Sequence, residues 1–443
     1  MSARTAVTTV FFLNGAVFSS WYARLPAIQD DIGLGPGALG VALLGAPAGL
    51  LAAQPLVGVL IARRGSRAAV AASPLYMPAV VLPALAFDTA SLLVAVTAVG
   101  AINGTLDIAM NAQGLAVERA GARRIFSSLH ASFSFGALAG AGLAGALAAL
   151  GVAPLLHLAG VAVVGGAAAA AVAPHLLGDE EAADARAPRL ARPSGRLAAL
   201  GVIAFCALLA EGAVFDWSGI YLATEAAAPA GVAPLGLAAF SLSMGVGRLA
   251  ADPATERAGA PRVAAGGAAS AALALGLALA VPTPAGAMLG FAAMGLGLSA
   301  VFPLALRASG LKDPSAAPGL AAVSTVGYAG SFLGPPLIGL LAEATSLPAA
   351  LLLVCVLCLI ASTLAGHLRE PTARPARLDV RGRGDSDREF VPHRRDAQDG
   401  MEPIEWIAEQ PGCDGNVAPV GLLALRSHSL SHCAGDRGES STR

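Results

Sequence analysis

Charge is scarce in this chain: Asp, Glu, Lys and Arg make up 13% of 443 residues, and the formal net charge is −1. That is not the composition of a surface built to neutralise phosphates, so no nucleic-acid partner is expected. Cysteine is scarce too, with Cys206, Cys355 and Cys358 in apolar stretches and Cys413 and Cys433 near the C-terminus. The CxxC spacing at 355 and 358 lacks a second pair or a neighbouring His, so it reads as small apolar residues in a helix. No apolar stretch holds HExxH, GxSxG or a converging His/Cys set. An enzyme, a metal site and a bound cofactor are therefore not expected.

Apolar residues are abundant instead, at 56%, with a mean hydropathy of +0.68. Crossing the roughly 30 Å hydrocarbon core takes about 20 apolar residues, and twelve such windows follow one another. They run over 5–28, 38–62, 67–87, 90–117, 126–149, 152–174, 198–223, 231–254, 262–281, 284–306, 317–342 and 347–368. Their length, and the need to satisfy every backbone group in lipid, make them helices. The first window has no small-residue cleavage site before a soluble domain and reads as a retained helix. The expectation is an all-α membrane protein of twelve transmembrane helices.

Basic residues fall after every second window: Arg63, Arg64 and Arg67; Arg119, Arg123 and Arg124; Arg186, Arg189, Arg192 and Arg196; Arg257 and Arg262; Arg307 and Lys312. The alternate connections hold acids or nothing, as in "QDDIG" (29–33), Asp88, Glu225 and Glu343. The positive-inside rule then puts both termini in the cytoplasm. Residues 178–197 are charged and Pro-containing and read as a cytoplasmic linker between bundles at 1–177 and 198–368. From 369 to 443 the hydrophobic windows stop, and a disordered cytoplasmic tail is expected.

The two halves repeat. One shift takes Gly136, Gly140, Leu143 and Gly145 onto Gly330, Gly334, Leu337 and Gly339, Arg63 and Gly65 onto Arg257 and Gly259, and Pro154 onto Pro348. A shared offset in three separate regions implies two pseudo-symmetric six-helix bundles around a midplane cavity, the architecture of alternating access.

Polar groups inside hydrocarbon are costly and point to function. Asn103, Asp107 and Asn111 recur every four residues in window 4 and form one stripe. By depth, Asn14 of window 1 sits level with Asp107, and His130 of window 5 nearer Asn111. Asp107 reads either as a carboxylate that exchanges protons or holds solute, or as a satisfied helix-packing hydrogen bond to Asn14 or His130. Asn103 and Asn111 read equally as solute contacts or as helix glue. In "LLAEGAVFDWSGIYL" (208–222), Glu211 lies near the midplane, with Asp216, Trp217 and Tyr221 farther out. Carboxylates beside aromatic faces suit a polyhydroxyl solute; an interfacial aromatic belt is the other reading for Asp216 and Trp217. Trp21 and Arg24 lie near the outer mouth, where Arg24 either draws in an anionic solute or pairs with an acid such as Asp216.

From about residue 5 to 368 the chain resembles the major facilitator superfamily of secondary transporters. Between the second and third helices, "GVLIARRGSR" matches the family signature at Gly58, Arg63, Gly65 and Arg67 but has Ala62 in place of the acid and Ser66 in place of a base. The second-half counterpart, "GRLAADPATERAGAPR" (247–262), holds Arg248 and Asp252 on one helix face, followed by Arg257 and Gly259. The resemblance implies that these loops latch the bundles on the cytoplasmic side; positive-inside topology alone is the other reading of Arg63 and Arg67. "LDIAMNAQG" and "GYAGSFLGPPLIG" are most similar to the fucose-permease-like branch of bacterial inner-membrane transporters, whose sugar–proton symporters use carboxylates in the first and fourth helices. Asp107 fits the fourth-helix role, whereas Asn14 replaces the first-helix acid. The resemblance implies a monomer in the bacterial inner membrane that moves a small polar solute, a sugar or related compound, driven by the proton gradient. Drug or metabolite efflux is the first alternative, although "FGALAGAGLAG" (135–145) lacks the Gly-Pro pair of multidrug antiporters. A solute sensor that does not transport is the second.

Overall fold

A computed structural model describes residues 1–71, 76–121, 125–178, 195–309 and 317–369, all within one compact unit, Met1–Ala373. Most of the expected linker (179–194), the tail from 370 onward, Lys312, Arg123 and Arg124 lie outside the described residues. Every regular element among the described residues is a helix. The first half holds α1 (Ala3–Tyr22), α2 (Leu25–Ile32), α3 (Pro36–Leu43), α4 (Gly45–Ala71), α5 (Tyr76–Ala79), α6 (Thr89–Gly121), α7 (Phe126–Ala149) and α8 (Pro154–Val172). The second holds α9 (Gly195–Thr224), α10 (Leu235–Ala258), α11 (Ala260–Ala280), α12 (Pro284–Leu298), α13 (Val301–Ala308), α14 (Ala317–Ala344) and α15 (Leu347–Leu364).

All twelve apolar windows carry helix, but not all as uninterrupted apolar spans. Nine described helices are long and apolar enough to cross a membrane, or ten if Arg63–Ala71 and Tyr76–Leu85, bent by 57°, form one. The shortfall has a residue-level cause. Polar side chains dilute α1 (Arg4, Thr5, Thr8, Thr9, Asn14) and α10 (Arg248, Asp252, Glu256, Arg257). These same two helices pack against α7 on either side and carry part of the polar interior.

The internal repeat is visible in the backbone itself. Gly65 has φ 75° and ψ 167°, and Gly259 has φ 82° and ψ 148°. Positive φ with extended ψ is open essentially to glycine alone, so both halves turn on the same residue in the same conformation. Pro154 and Pro348 both sit in the first two positions of the last long helix of their half, where a missing N–H costs nothing. The glycine-rich fifth window packs closely for the same reason in each half. A Cβ at Gly136 of α7 would strike the Phe12 carbonyl of α1, and one at Gly330 of α14 would strike the Phe205 carbonyl of α9.

Glycines also bring the halves together at the end where α1 finishes, here the acidic end. Gly40 of α3 crosses Gly339 of α14, and Gly145 of α7 meets Gly231 in the turn before α10. Glu343 at the end of α14 accepts a hydrogen bond from the Gly37 N–H in the first turn of α3, at 3.1 Å. The opposite, basic end carries Arg63, Arg67, Arg257 and Arg307.

A candidate transport site between the two halves

Asp107 lies at the middle of α6 with Asn111 one turn on. Asn111 Nδ2 donates to the Asp107 carbonyl at 2.8 Å and to its Oδ1 at 3.3 Å. Both side chains keep part of their accessible surface. Tyr328, from α14 of the other half, is 43% exposed and lies close enough to Asp107 to interact electrostatically. A carboxylate and an amide of one half thus come near a phenol of the other, each side chain still partly accessible. Asn103 stands one turn before Asp107 on α6, and its Oδ1 has no hydrogen-bond partner among the described residues.

Asn14 does not join them. Its Nδ2 donates to Met110 Sδ at 3.6 Å and the residue is 1% exposed, so it packs against α6 inside its own half. It meets α6 at a different azimuth from Asp107, because Met110 is three residues from Asp107 and about 60° round the helix. His130 packs edge-on to Phe11 and Phe126, at 5.4 and 4.9 Å between ring centroids.

Glu211 is neutralised. Arg248 Nη2 lies 3.1 Å from Glu211 Oε1, while its Nη1 donates to Ser134 Oγ at 2.8 Å and to the His130 carbonyl at 3.3 Å on α7. This corrects the loop role expected for Arg248: it is an interior strut between halves, and its acid is Glu211, not Asp252. Asp252 pairs instead with Arg307 at the basic end, at 2.9 Å and about half exposed. With Gly259 in the position of Gly65, the register places Glu256, not Asp252, opposite Ala62. Arg257 and Arg63 are exposed, and Gly58 lies within α4.

The first-half loop is tied to its own bundle. Arg67 donates to the Pro174 carbonyl at 3.2 Å, and Gln113 of α6 donates to Ser66 Oγ at 3.0 Å and to the Leu177 carbonyl at 3.2 Å. Ser66, which departs from the family pattern, is thus the acceptor that draws the loop onto α6.

The aromatic wall differs from expectation. Trp21 and Trp217 are both fully buried, so neither indole faces an open space. On α9, Glu211 and Phe215 share a face, whereas Trp217 lies about 120° from Glu211 and about 160° from Phe215, off that face. Tyr221 donates to the Ala278 carbonyl of α11 at 3.0 Å. The rings that meet across the divide are Phe18 and Tyr22 of α1 with Phe215 of α9, at 5.5 and 5.8 Å, and Phe215 in turn meets Phe240 of α10 at 6.1 Å. Trp21 lies under Tyr22, at 3.8 Å. Arg24 does not pair with Asp216; it donates to the Val152 carbonyl.

Sequence reading missed Ser134 and Tyr328. The four-residue spacing of His130 and Ser134 in an apolar window was the available signal for the first. For Tyr328, inside "GYAGSFLGPP", only the fold brings it to Asp107.

Known proteins give the arrangement a family. The Major Facilitator Superfamily model matches residues 200–408. An uncharacterized MFS-type transporter of Yersinia pestis is 33% identical over 379 residues, spanning 84% of this chain and 96% of that protein. Membrane protein MosC of Rhizobium meliloti is 33% identical over 355 residues, spanning 79% of this chain and 86% of that one. Among solved structures, the nucleoside transporter NupG superposes with a TM-score of 0.62 at 14% identity, over 83% of this chain and 99% of that chain. A variant of the E. coli fucose:proton symporter FucP superposes with a TM-score of 0.57 at 16% identity, over 83% and 98%. At these identities the two structures speak for the fold alone. The protein is a multi-pass membrane transporter of a small solute and not an enzyme. Sharing a third of its aligned residues over nearly the full length of an MFS-type transporter, the chain belongs to the Major Facilitator Superfamily.

Proposed function

We propose that this transporter carries a small polar, hydroxyl-rich solute, a sugar or related compound, by alternating access coupled to the proton gradient, with Asp107 as the coupling carboxylate. The observation that carries this reading is the contrast in how two interior acids are compensated. Glu211 has a cation at 3.1 Å, whereas among the described residues Asp107 has the Asn111 amide alone and keeps part of its surface accessible. An acid without a counter-ion in a low-dielectric cleft is driven to bind a proton when water withdraws and to release it when water returns. Asn111, Asn103 and Tyr328 supply donors and acceptors of the kind that hydroxyls require.

Alternating access is supported by the acidic-end contacts, where Gly40 crosses Gly339 and Glu343 holds Gly37, while Tyr328 farther along α14 stays exposed. The Arg-rich end is assigned to the cytoplasm by the positive-inside rule. The state described is then closed outward, in a chain working as a monomer with both termini inside. The proton gradient serves as the energy source, with no bound cofactor.

The test is a ligand-stabilisation screen of the purified protein over sugars, sugar acids and cationic drugs, followed by vesicle uptake of the best binder with and without a pH gradient. Stabilisation by a sugar-like compound and gradient-dependent uptake are expected. Gradient-insensitive uptake would remove proton coupling; stabilisation by cationic drugs alone would replace the solute class.

A further inference from the structure

Asp216 is the third interior carboxylate, and unlike the other two it has nothing to hold it. It is 5% exposed. Among the described residues, no hydrogen-bond donor and no cation reaches it. It sits one residue beyond Phe215, whose ring meets Phe18, Tyr22 and Phe240 in the aromatic layer that closes the divide. The titratable group that faces it is Tyr22 of α1, with Tyr76 of α5 behind. From α2, Pro26 packs on Gly219 while Asp30 and Asp31 are exposed, Asp31 acting on Arg24. The acidic-end part of α10 and all of α12 carry no ionisable side chain, α14 brings Glu343, which is held on Gly37, and α15 brings only Cys355 and Cys358. Among the described residues the cation of this end, Arg24, is engaged by the Val152 carbonyl and Asp31 and does not reach Asp216.

We propose that Asp216 is the proton-loading group of the acidic-end gate: closing α1 against α9 buries its carboxyl without a partner, so closure takes up one proton and opening releases it. Deprotonated Asp216 would be an unpaired charge almost wholly withdrawn from water beside aromatic rings, which disfavours closure. Protonated, it is a small polar group of about the volume of Asn. The chemistry is one O–H bond formed on closing and broken on opening, the proton coming from and returning to the water at the acidic end. This rests on the proton-coupled alternating access proposed above, but it places a second carboxyl, distinct from Asp107, in charge of the gate.

The experiment reads the gate directly and needs no solute. Spin labels at Leu150 and Val281, 78% and 58% exposed next to the acidic ends of α7 and α11, report the separation of the halves in full-length protein whose native cysteines have been replaced. With Asp107 replaced by Asn, so that linkage through that carboxyl is silent, the closed-to-open ratio should fall by about tenfold per pH unit once the open-state Asp216 carboxyl ionises, as one-proton linkage requires. On that background Asp216→Asn should hold the gate closed at every pH, and Asp216→Glu should keep a pH response. A pH response surviving in Asp216→Asn on that background, or none with Asp216 intact, overturns the proposal. Should Asp216→Asn not fold, infrared difference spectra in the Asp107→Asn background decide the matter. A protonated carboxyl band in the closed form supports the proposal, and its absence overturns it. Failure of Asp107 coupling would show in solute uptake and leave the label distances unchanged, so the two readings fail separately.

Discussion

Arg248 of α10 holds Glu211 of α9 at 3.1 Å while its other nitrogen reaches Ser134 of α7 at 2.8 Å, so one guanidinium ties a carboxylate in one half to a helix of the other. Both side chains are mostly buried, 15% and 22% exposed, and removing one partner leaves the other charge with poor hydration. Arg248→Met and Glu211→Gln should each lower thermal stability, and the double variant should recover part of the loss. A double-mutant cycle in detergent should give a coupling of roughly 1–3 kcal/mol. Additive losses would mean that the pair contributes no interaction energy.

Gly65 and Gly259 should be equally intolerant of a side chain. Each adopts positive φ with extended ψ, and Gly65→Ala or Gly259→Ala should cost roughly 1–3 kcal/mol. Gly142→Ala, in the middle of α7 with open space around it, is the control, expected to stabilise by about 0.5–1 kcal/mol. Unfolding curves of the three variants check the ranking.

The same glycines show what was legible in the sequence. Apolar windows located every long helix, and a constant offset between halves found Gly65 and Gly259, because a backbone conformation open only to glycine leaves a mark at one position. The Asp107–Asn111 pair was readable because four-residue spacing is local. Partners from distant helices were not: depth along a helix can be counted from its end, but azimuth depends on how neighbours pack. That is why Asn14 meets Met110 and not Asp107, why Arg248 meets Glu211 and not Asp252, and why Trp217 is buried while Phe215 reaches the divide. Arg24 likewise satisfies a backbone carbonyl, a partner that no pattern of side chains announces.

Glu343 should help set the balance between open and closed acidic ends. Its carboxylate accepts the Gly37 N–H at the start of α3, where the helix dipole favours negative charge by about 0.3–1 kcal/mol. Glu343→Gln should therefore lower the closed-to-open ratio roughly two- to fivefold, seen as faster thiol labelling of a cysteine placed at the acidic end. Gly339→Leu should have a far larger effect in the same direction, since Gly339 lies against the Gly40 backbone. Unchanged labelling in both variants would show that these contacts do not hold the gate.

The central claim, that Asp107 couples solute movement to protons, is tested most directly by gradient-driven accumulation in vesicles containing Asp107→Asn. The account predicts that accumulation against a concentration gradient is lost while solute exchange across the membrane at equal pH persists, because Asn still bonds to Asn111 and to hydroxyls but carries no proton. Accumulation by Asp107→Asn at the wild-type level under the same pH gradient would contradict it.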